Sequence, residues 1–242
     1  MITSLTLLIL SLVALYIGAG WLVQGSSALA LKAKISPLVV GLTIVAFGTS
    51  APELVVSLNA TLSGQGDIAI GNIVGSNIFN IGVILGVSAT ICPLQVKKQL
   101  LRIDIPVMLA ATVLFTILFW NGTLGRTEGL FFLTGIIIYT IFSLFYSRKH
   151  GTEGSSQELE EQPKHWAVDT LAIVGGLVVL VFASRLLVDN AVSIAKELGV
   201  SEAVIGLTIV AAGTSMPELA TSIVAAYKRK TDIAIGNIVG SN

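Results

Sequence analysis

Long apolar stretches alternate with short polar connections along almost the entire chain. Each is long enough to cross the ~30 Å hydrocarbon core of a bilayer as a helix. Their length and the lack of strict two-residue alternation argue against membrane-spanning strands. The pattern therefore predicts an all-α polytopic membrane protein of about seven and a half helices, since the last stretch ends soon after it begins. The stretches lie at about 5–31, 36–62, 68–94, 103–120, 128–146, 167–195 and 202–227, and an eighth begins near 233.

Composition supports this class and excludes others. Only 12% of the 242 residues are charged, whereas a soluble domain carries about 25%. This charge content excludes an ordinary cytosolic enzyme, and the lack of basic stripes excludes nucleic-acid binding. We expect the lipid bilayer and inorganic cations as partners, with no obligatory protein partner and no prosthetic group. An enzyme is not expected, because the HExxH helix of metalloproteases is absent from the sequence.

The distribution of Lys and Arg predicts how the chain crosses the membrane. Eleven of these residues fall in alternate connections and only Arg126 and Lys196 fall in the others, while Arg185 lies within a span. Basic residues are enriched in cytoplasmic connections. We therefore expect a multi-pass protein of the cell (inner) membrane with its N-terminus outside and the connection 147–166 in the cytoplasm.

The sequence contains an internal repeat. When it is shifted by 165 residues, Ser36–Asn77 aligns without gaps to Ser201–Asn242, and 27 of the 42 positions are identical. Lipid-facing positions require only apolar character, so membrane composition alone would not preserve blocks of identity. Five spans separate a residue from its copy, and because five is odd the second copy must cross the membrane in the opposite direction. Inverted repeats of this kind are typical of secondary transporters.

The repeat also predicts the organisation of the chain. We divide it into a first five-helix repeat at 1–146, a cytoplasmic loop at 147–166, and a second, inverted repeat at 167–242 that is incomplete at its C-terminus. Residues 78–146 have no copy, and theirs would occupy about 243–311. We therefore expect a ten-span protein of which this sequence is a truncated part.

Each copy carries one isolated carboxylate. Glu53 is the only charged residue between Lys34 and Asp67, and Glu218 is the only one between Glu202 and Lys228. An ionisable residue deep in a membrane span is costly and usually marks an ion pathway. A protonated glutamate hydrogen-bonded to a neighbouring helix is the structural alternative, and a matched pair makes that alternative less favoured.

The residues around each glutamate predict a broken helix. Pro52 has no N–H, so the Gly48 carbonyl loses its helical partner, and Pro217 has the same effect on Gly213. Broken backbone is tolerated at this depth only where it is buried or lines a cavity. Carbonyl, hydroxyl and carboxylate oxygens suit Ca²⁺ and Na⁺, and the lack of His or Cys nearby argues against zinc or copper. The hydroxyls beside the two breaks are those of Thr49, Ser50, Thr214 and Ser215.

A second repeated block, Gly71–Asn77, recurs as Gly236–Asn242. Its glycines have the spacing that lets helices approach closely. The spacing of Asn72, Ser76 and Asn80 places their side chains on one helix face. We expect that face to complete the cation cage.

These motifs resemble the two alpha repeats of the sodium/calcium exchanger family, within the calcium/cation antiporter superfamily, in its prokaryotic form. The residues that carry the resemblance are Gly48-Thr-Ser-Ala-Pro-Glu53, Gly213-Thr-Ser-Met-Pro-Glu218 and the paired Gly-Asn-Ile-Val-Gly-Ser-Asn blocks. The resemblance implies a ten-helix fold in which helices two, three, seven and eight enclose the ions.

The resemblance also implies roles for individual residues. Glu53 and Glu218 would be ligands shared by Ca²⁺ and Na⁺, and Thr49 and Thr214 would contribute backbone oxygens at the calcium position. Asn80 would lie at the middle of the site, and its partner would fall at position 245, beyond the last residue. The flanking sodium positions would be lined by Ala46, Ser50, Ala211, Ser215, Ser76 and Ser241.

The expected function is Na⁺-driven Ca²⁺ extrusion by alternating access, with the two ions competing for one midplane site. A proton-coupled antiporter of Ca²⁺ or another cation is the nearest alternative, because a carboxylate can exchange a metal ion for H⁺. A cation channel is a further alternative, in which flux would need no counter-ion.

Overall fold

A computed structural model describes residues 2–150 and 165–242. Within them every regular element is helical, as the sequence predicts. The helices are α1 (Ile2–Ala33), α2 (Pro37–Thr49), α3 (Ala51–Leu62), α4 (Gly66–Ile91), α5 (Leu100–Leu118), α6 (Arg126–His150), α7 (Trp166–Glu197), α8 (consecutive segments Glu202–Ile205, Gly206–Val210 and Ala211–Thr214), α9 (Met216–Tyr227) and α10 (Thr231–Gly240).

The predicted spans correspond to these helices. In the described part of the chain, five helices are long and apolar enough to cross a membrane, and the number is seven if each of two bent pairs is one span. The bent pairs are α2 with α3 and α8 with α9, whose axes differ by 46° and 59°. The eighth predicted stretch begins as α10. The prediction of an all-α polytopic membrane protein is confirmed.

Both bends occur where the glycine and proline positions predict them. The break residues Ser50 and Ser215 have nearly the same backbone conformation, with φ/ψ of −81°/10° and −86°/11°. The proline lies in the first turn of the following helix, a position that suits its fixed φ angle. One π-helical turn precedes each break, at Gly41–Val45 and at Gly206–Val210. The two copies therefore fold alike locally.

Helices α1 and α7 pack against each other in opposite directions. A Cβ on Gly25 would lie 2.8 Å from the carbonyl oxygen of Asp169, and one on Gly18 would lie 3.1 Å from that of Gly176. The contacts therefore run down one helix as they run up the other, which is the antiparallel arrangement that the inverted repeat predicts. Lys32 and Asp169 form an ion pair at one end, with only 11% and 5% of their side chains exposed.

Helix α10 packs against the first half of the broken helix α2. A Cβ on Gly236 would lie 2.5 Å from the Leu38 carbonyl oxygen, and one on Gly240 would lie 2.5 Å from that of Leu42. Only a residue without a side chain permits this approach. These contacts bring the Gly-Asn-Ile-Val-Gly-Ser-Asn block of the second repeat onto the first repeat.

Helical structure extends into both ends of the segment predicted as the cytoplasmic loop. Helix α6 continues to His150, and α7 already includes Trp166. Ser147 is buried, and its hydroxyl oxygen accepts the backbone N–H of Ser36 at 2.7 Å, which holds this last turn against the start of α2. Polar residues were therefore interpreted as a loop where they form a packed helix end. The rest of the predicted loop, 151–164, lies outside the described residues.

Candidate functional site

The two isolated glutamates line the same cavity. It has a volume of about 240 Å³ and lies where α3, α4, α9 and the end of α10 meet. Glu218 is only 1% exposed, and Glu53 is partly buried. The cavity is lined by Ser50, Glu53, Leu54, Ser57, Ile73, Ser76, Asn77, Asn80, Glu218, Ser241 and Asn242.

Each carboxylate is held by the break residue of the opposite repeat. The Ser50 hydroxyl donates a hydrogen bond to Oε1 of Glu218 at 2.7 Å, and the Ser215 hydroxyl donates one to Oε1 of Glu53 at 3.0 Å. In both cases a serine at a helix break binds a glutamate in the first turn after the other break. The two repeats therefore assemble one site between them.

Five oxygens of this cavity lack hydrogen-bond partners among the described residues. Oε2 of Glu53 and Oε2 of Glu218 are buried without a hydrogen bond. A buried polar atom without a partner is costly unless a ligand satisfies it. Three more cavity residues present such atoms: Asn80 through Oδ1, Ser241 through Oγ and Asn242 through Oδ1.

A second set of cross-repeat bonds lies behind the cavity. The Thr49 hydroxyl donates to Oδ1 of Asn237 at 3.0 Å, and the Thr214 hydroxyl donates to Oδ1 of Asn72 at 3.5 Å. Asn72 itself does not line the cavity, contrary to the prediction from its helix face, and its amide nitrogen instead donates to the Glu53 carbonyl oxygen and to the Ser57 hydroxyl. Its neighbours Ser76 and Asn80 do line the cavity.

Two other predicted residues, Ala46 and Ala211, do not line the cavity, whereas Ser76 does. The Ala46 carbonyl oxygen accepts hydrogen bonds from the backbone N–H of Ser50 at 3.0 Å and from the Thr49 hydroxyl at 3.2 Å. The Ala211 carbonyl oxygen accepts one from the Thr214 hydroxyl at 3.4 Å. Ser76 lines the cavity, and its hydroxyl donates to the Ile73 carbonyl oxygen at 3.0 Å.

In the second repeat, the carbonyl that loses its helical partner to the proline has another hydrogen-bond donor. Ser184 of α7 is buried, and its hydroxyl donates to the Gly213 carbonyl oxygen at 2.7 Å. This bond replaces the helical partner that Pro217 removes. The position 165 residues before Ser184 is Ala19, which has no hydroxyl. Sequence analysis missed this residue because it lies outside the repeated blocks.

Two further serines that sequence analysis missed orient the asparagines. The amide nitrogen of Asn72 donates to the Ser57 hydroxyl at 2.9 Å, and that of Asn237 donates to the Ser222 hydroxyl at 3.0 Å. Ser57 and Ser222 occupy equivalent positions of the repeat, which carry the same residue in both copies. That identity was the signal that could have identified them.

The site offers hard oxygen ligands of three kinds around two carboxylates. Carboxylate, amide and hydroxyl oxygens are the ligands that Ca²⁺ and Na⁺ take in proteins. Because the cavity is nearly apolar outside this oxygen set, an ionised glutamate pair requires a cation to offset its charge. The chemistry of the donor set fits a site for hard cations.

Comparison with known proteins agrees with this arrangement. The sequence model of the family described as sodium/calcium exchanger protein matches residues 3–145 and 168–242. The chain belongs to the sodium/calcium exchanger family. Members of this family are transporters, so the protein is a multi-pass membrane protein of a cation antiporter family.

Several relatives of this sodium/calcium exchanger family member align over nearly all of its length. The putative antiporter CaxA of Alkalimonas amylolytica is 38% identical over 100% of this chain and 77% of its own length. The sodium/calcium exchanger MaX1 of Methanosarcina acetivorans is 32% identical over 98% of this chain and 78% of its own. The Ca²⁺/H⁺ antiporter ChaA of Bacillus subtilis is 28% identical over 90% of this chain and 67% of its own.

A solved structure of the family has the same fold. The sodium–calcium exchanger NCX_Mj, soaked with zero Na⁺ and Ca²⁺, superposes with a TM-score of 0.86 and 33% sequence identity. The match covers 99% of this chain and 78% of that one. The inverted-repeat exchanger fold predicted from the sequence is thereby confirmed.

Proposed function

We propose that this protein is a Na⁺-driven Ca²⁺ antiporter that binds both ions at the cavity between Glu53 and Glu218. The observation that carries this proposal is the pair of buried carboxylates at one cavity, each with one oxygen held by a serine and the other without a partner among the described residues. Two ionised glutamates supply two negative charges, which one Ca²⁺ neutralises.

Competition for the same oxygens explains exchange. Na⁺ ions bound among these ligands would offset the same charge, so Ca²⁺ and Na⁺ exclude each other from the site. An empty site would keep two charges in a poorly solvated place, at a cost of several kcal/mol for each unpaired ion. The empty transporter therefore changes its exposed face slowly, whereas the loaded forms change readily. One ion gradient then drives the other by alternating access.

Reconstitution of the intact protein into sealed proteoliposomes tests this proposal. We expect an outward Na⁺ gradient to drive ⁴⁵Ca²⁺ uptake. Glu53→Ala and Glu218→Ala should each abolish the flux, because one carboxylate cannot neutralise Ca²⁺ and the site loses a ligand. Glu128→Gln is the matched control, since Glu128 is an acidic residue of α6 that does not line the cavity.

Three outcomes would contradict the proposal. Ca²⁺ flux that ignores the Na⁺ gradient would reject the coupling to Na⁺. Flux that persists in folded Glu53→Ala or Glu218→Ala protein would reject the site. Flux that needs no counter-ion and does not saturate would indicate a cation channel.

Proton coupling is the second candidate, and the 28% identical relative named a Ca²⁺/H⁺ antiporter favours it. The same glutamates can exchange a bound metal ion for protons. An imposed pH gradient should then drive Ca²⁺ uptake in vesicles that contain no Na⁺, and Na⁺ should have no effect beyond that of ionic strength. The Na⁺ proposal requires the opposite result.

We further propose that the protein lies in the inner membrane with its N-terminus outside. Cys92, the single cysteine, follows α4 in a connection that this orientation places in the cytoplasm. A membrane-impermeant maleimide should therefore label Cys92 in inside-out vesicles and not in right-side-out ones. Asn121→Cys in a Cys92→Ser background is the control, because the exposed α5–α6 turn lies on the opposite face. The reverse labelling pattern would invert the proposed topology.

A further inference from the structure

A buried asparagine links the two halves of the site. Asn237 is fully buried, and its amide nitrogen donates to the Glu218 carbonyl oxygen at 3.3 Å and to the Ser222 hydroxyl at 3.0 Å. Its Oδ1 accepts the hydroxyl of Thr49 at 3.0 Å. One side chain therefore connects the first turn after the break in the second repeat with the last turn before the break in the first.

The direction of these bonds follows from the groups involved. A backbone carbonyl can only accept, so the amide nitrogen of Asn237 must face the Glu218 carbonyl, and Oδ1 must then face Thr49. The Thr49 hydroxyl has one proton, and its competing acceptors are the Ala46 carbonyl oxygen at 3.2 Å within its own helix and the nearby Glu218 carboxylate. The hydrogen bond to Asn237 therefore holds Thr49 against the second repeat.

The first repeat contains the same arrangement in a looser form. The amide nitrogen of Asn72 donates to the Glu53 carbonyl oxygen at 3.2 Å and to Ser57 at 2.9 Å, while Thr214 lies 3.5 Å from its Oδ1. Neither asparagine lines the cavity, so neither is placed to touch an ion there. Each instead joins the main chain of one glutamate to the threonine of the opposite repeat.

We propose that Asn237 and Asn72 are positioning residues that set the distance between each glutamate and the main-chain oxygen of the facing threonine. This inference rests on the proposed function and on the role as backbone-oxygen ligands that the family resemblance implies for Thr49 and Thr214. The amide acts on the ion only through the threonine that it holds. The tighter Asn237–Thr49 link has the larger effect on Ca²⁺ affinity, because its hydrogen bond is shorter by 0.5 Å.

Thr49→Val tests this role without changing the proposed ligand, because valine keeps the main-chain oxygen and the side-chain volume and removes only the hydroxyl. We expect the KM for Ca²⁺ in proteoliposomes to rise about fivefold with kcat within about twofold, as the loss of one net hydrogen bond predicts. Equilibrium ⁴⁵Ca²⁺ binding to purified protein should weaken by the same factor. Thr214→Val should have a smaller effect of the same kind.

Thr43→Val is the matched control. Thr43 lies in the same helix half, and its hydroxyl donates to Val39 within that helix at 2.6 Å. This variant should leave the KM for Ca²⁺ unchanged. Without this control, the rise in KM could be attributed to the loss of any threonine hydroxyl in this helix.

A double-mutant cycle separates positioning from general loosening of the core. Asn237→Ala should raise the KM at least as much as Thr49→Val, because it removes the bond to Thr49 together with those to the Glu218 carbonyl and to Ser222. The double variant should be no worse than Asn237→Ala alone, because that change already removes the bond that Thr49 makes. A cycle in which the two effects multiply overturns the inference. If Asn237→Ala does not fold, a Thr49→Val protein with parental KM and Ca²⁺ binding overturns it equally.

The outcome is distinguishable from failure of the proposed function. If the unmodified protein neither binds nor transports Ca²⁺, the proposed function itself is wrong. If it does both, and the threonine and asparagine variants match Thr43→Val, only the positioning role is wrong.

Discussion

The two copies of the repeated sequence fold alike but have different surroundings. In the second copy, Gly236 and Gly240 are in close contact with the main chain of α2, whereas no atom of the described residues lies within 4 Å of a Cβ built on Gly71 or Gly75. Ile233 is completely buried, and its counterpart Ile68 is 53% exposed. Within the described part of the chain, identical residues thus form a helix–helix interface in one copy and an open face in the other.

The difference extends to the ion site. The serine–carboxylate bond is 2.7 Å at Glu218 and 3.0 Å at Glu53. Glu218 is also the more deeply buried carboxylate. The lesson is that a repeated motif specifies a local backbone and a set of ligands, whereas the neighbouring helices decide how tightly each copy is enclosed.

The ion pair between α1 and α7 should give the largest loss of stability. The counterparts of Lys32 and Asp169 are Glu197 and Ser4, which cannot form an ion pair with each other. Lys32→Met leaves Asp169 buried and uncompensated, at an expected cost of about 3–5 kcal/mol. The unfolding temperature in detergent should drop strongly for this variant. The double variant Lys32→Met, Asp169→Leu should recover most of the lost stability. A double variant less stable than the single one would contradict this interpretation.

Substitution of the repeated glycines should show directly that the two copies differ in packing. Gly236→Ala places a Cβ 2.5 Å from the Leu38 carbonyl oxygen, and such overpacking costs about 1–3 kcal/mol. Gly71→Ala meets open space and removes a poor helix former, so it should be neutral or stabilising by up to ~1 kcal/mol. Thermal unfolding of the two variants side by side checks this order. Equal destabilisation would mean that both faces are packed in the membrane.

Ser184 distinguishes the two helix breaks. Ser184→Ala leaves the Gly213 carbonyl buried without its partner, which should lower stability by about 1–3 kcal/mol. Ser193→Ala is the control on the same helix, and it should have little effect on the unfolding temperature. Ala19→Ser, at the equivalent position of the first repeat, should give no comparable gain, because Gly48 faces the side chain of Leu177. A Ser184→Ala protein as stable as the control would show that the Gly213 carbonyl finds another partner.

Substitutions in the turns that contain Lys34 and Arg229 should have the smallest effects on stability. Lys34 and Arg229 have positive φ angles of 55° and 58°, and their counterparts Gly199 and Gly64 have φ angles of 77° and 73°. Glycine relieves left-handed strain of about 1–2 kcal/mol but costs roughly 0.5–1 kcal/mol in backbone entropy. Lys34→Gly should therefore change stability by less than about 1 kcal/mol, whereas Gly199→Ala should destabilise by about that amount. Thermal unfolding of both variants checks these values. A large gain in stability from Lys34→Gly would mean that the left-handed strain exceeds the entropy cost of glycine.

Much of the fold could be predicted because membrane helices depend on local and repetitive signals. The span at 36–62 is observed as α2 and α3, and the break within it lies at Ser50, between Gly48 and Pro52. The opposite directions of the repeats follow from counting spans. The packing of the end of α6 could not be predicted, because the Ser147 hydroxyl accepts its hydrogen bond from Ser36, 111 residues away.

Part of the candidate site could be predicted as well. The convergence of Glu53 and Glu218 on one cavity was expected from the inverted repeat, and their roles as ligands stay predictions. The crosswise bonds of Ser50 and Ser215 could not be predicted, since a one-dimensional pattern does not show which atoms face each other across two helices. The hydrogen bond from Ser184 to the Gly213 carbonyl could not be predicted, because Ser184 lies in a different helix.

The sequence by itself determined the apolar spans, the two helix breaks and the antiparallel relation of the repeats. These depend on hydrophobic length, on the missing N–H of proline and on the parity of membrane crossings, all of which can be counted along the chain. Tertiary structure alone decided which copy is enclosed, which carbonyl is occupied and which serine binds which carboxylate. Hydrogen bonds and close packing act over about 3–4 Å, so they depend on neighbours that can be distant in the sequence, 29 residues for Ser184 and Gly213 and 168 for Ser50 and Glu218.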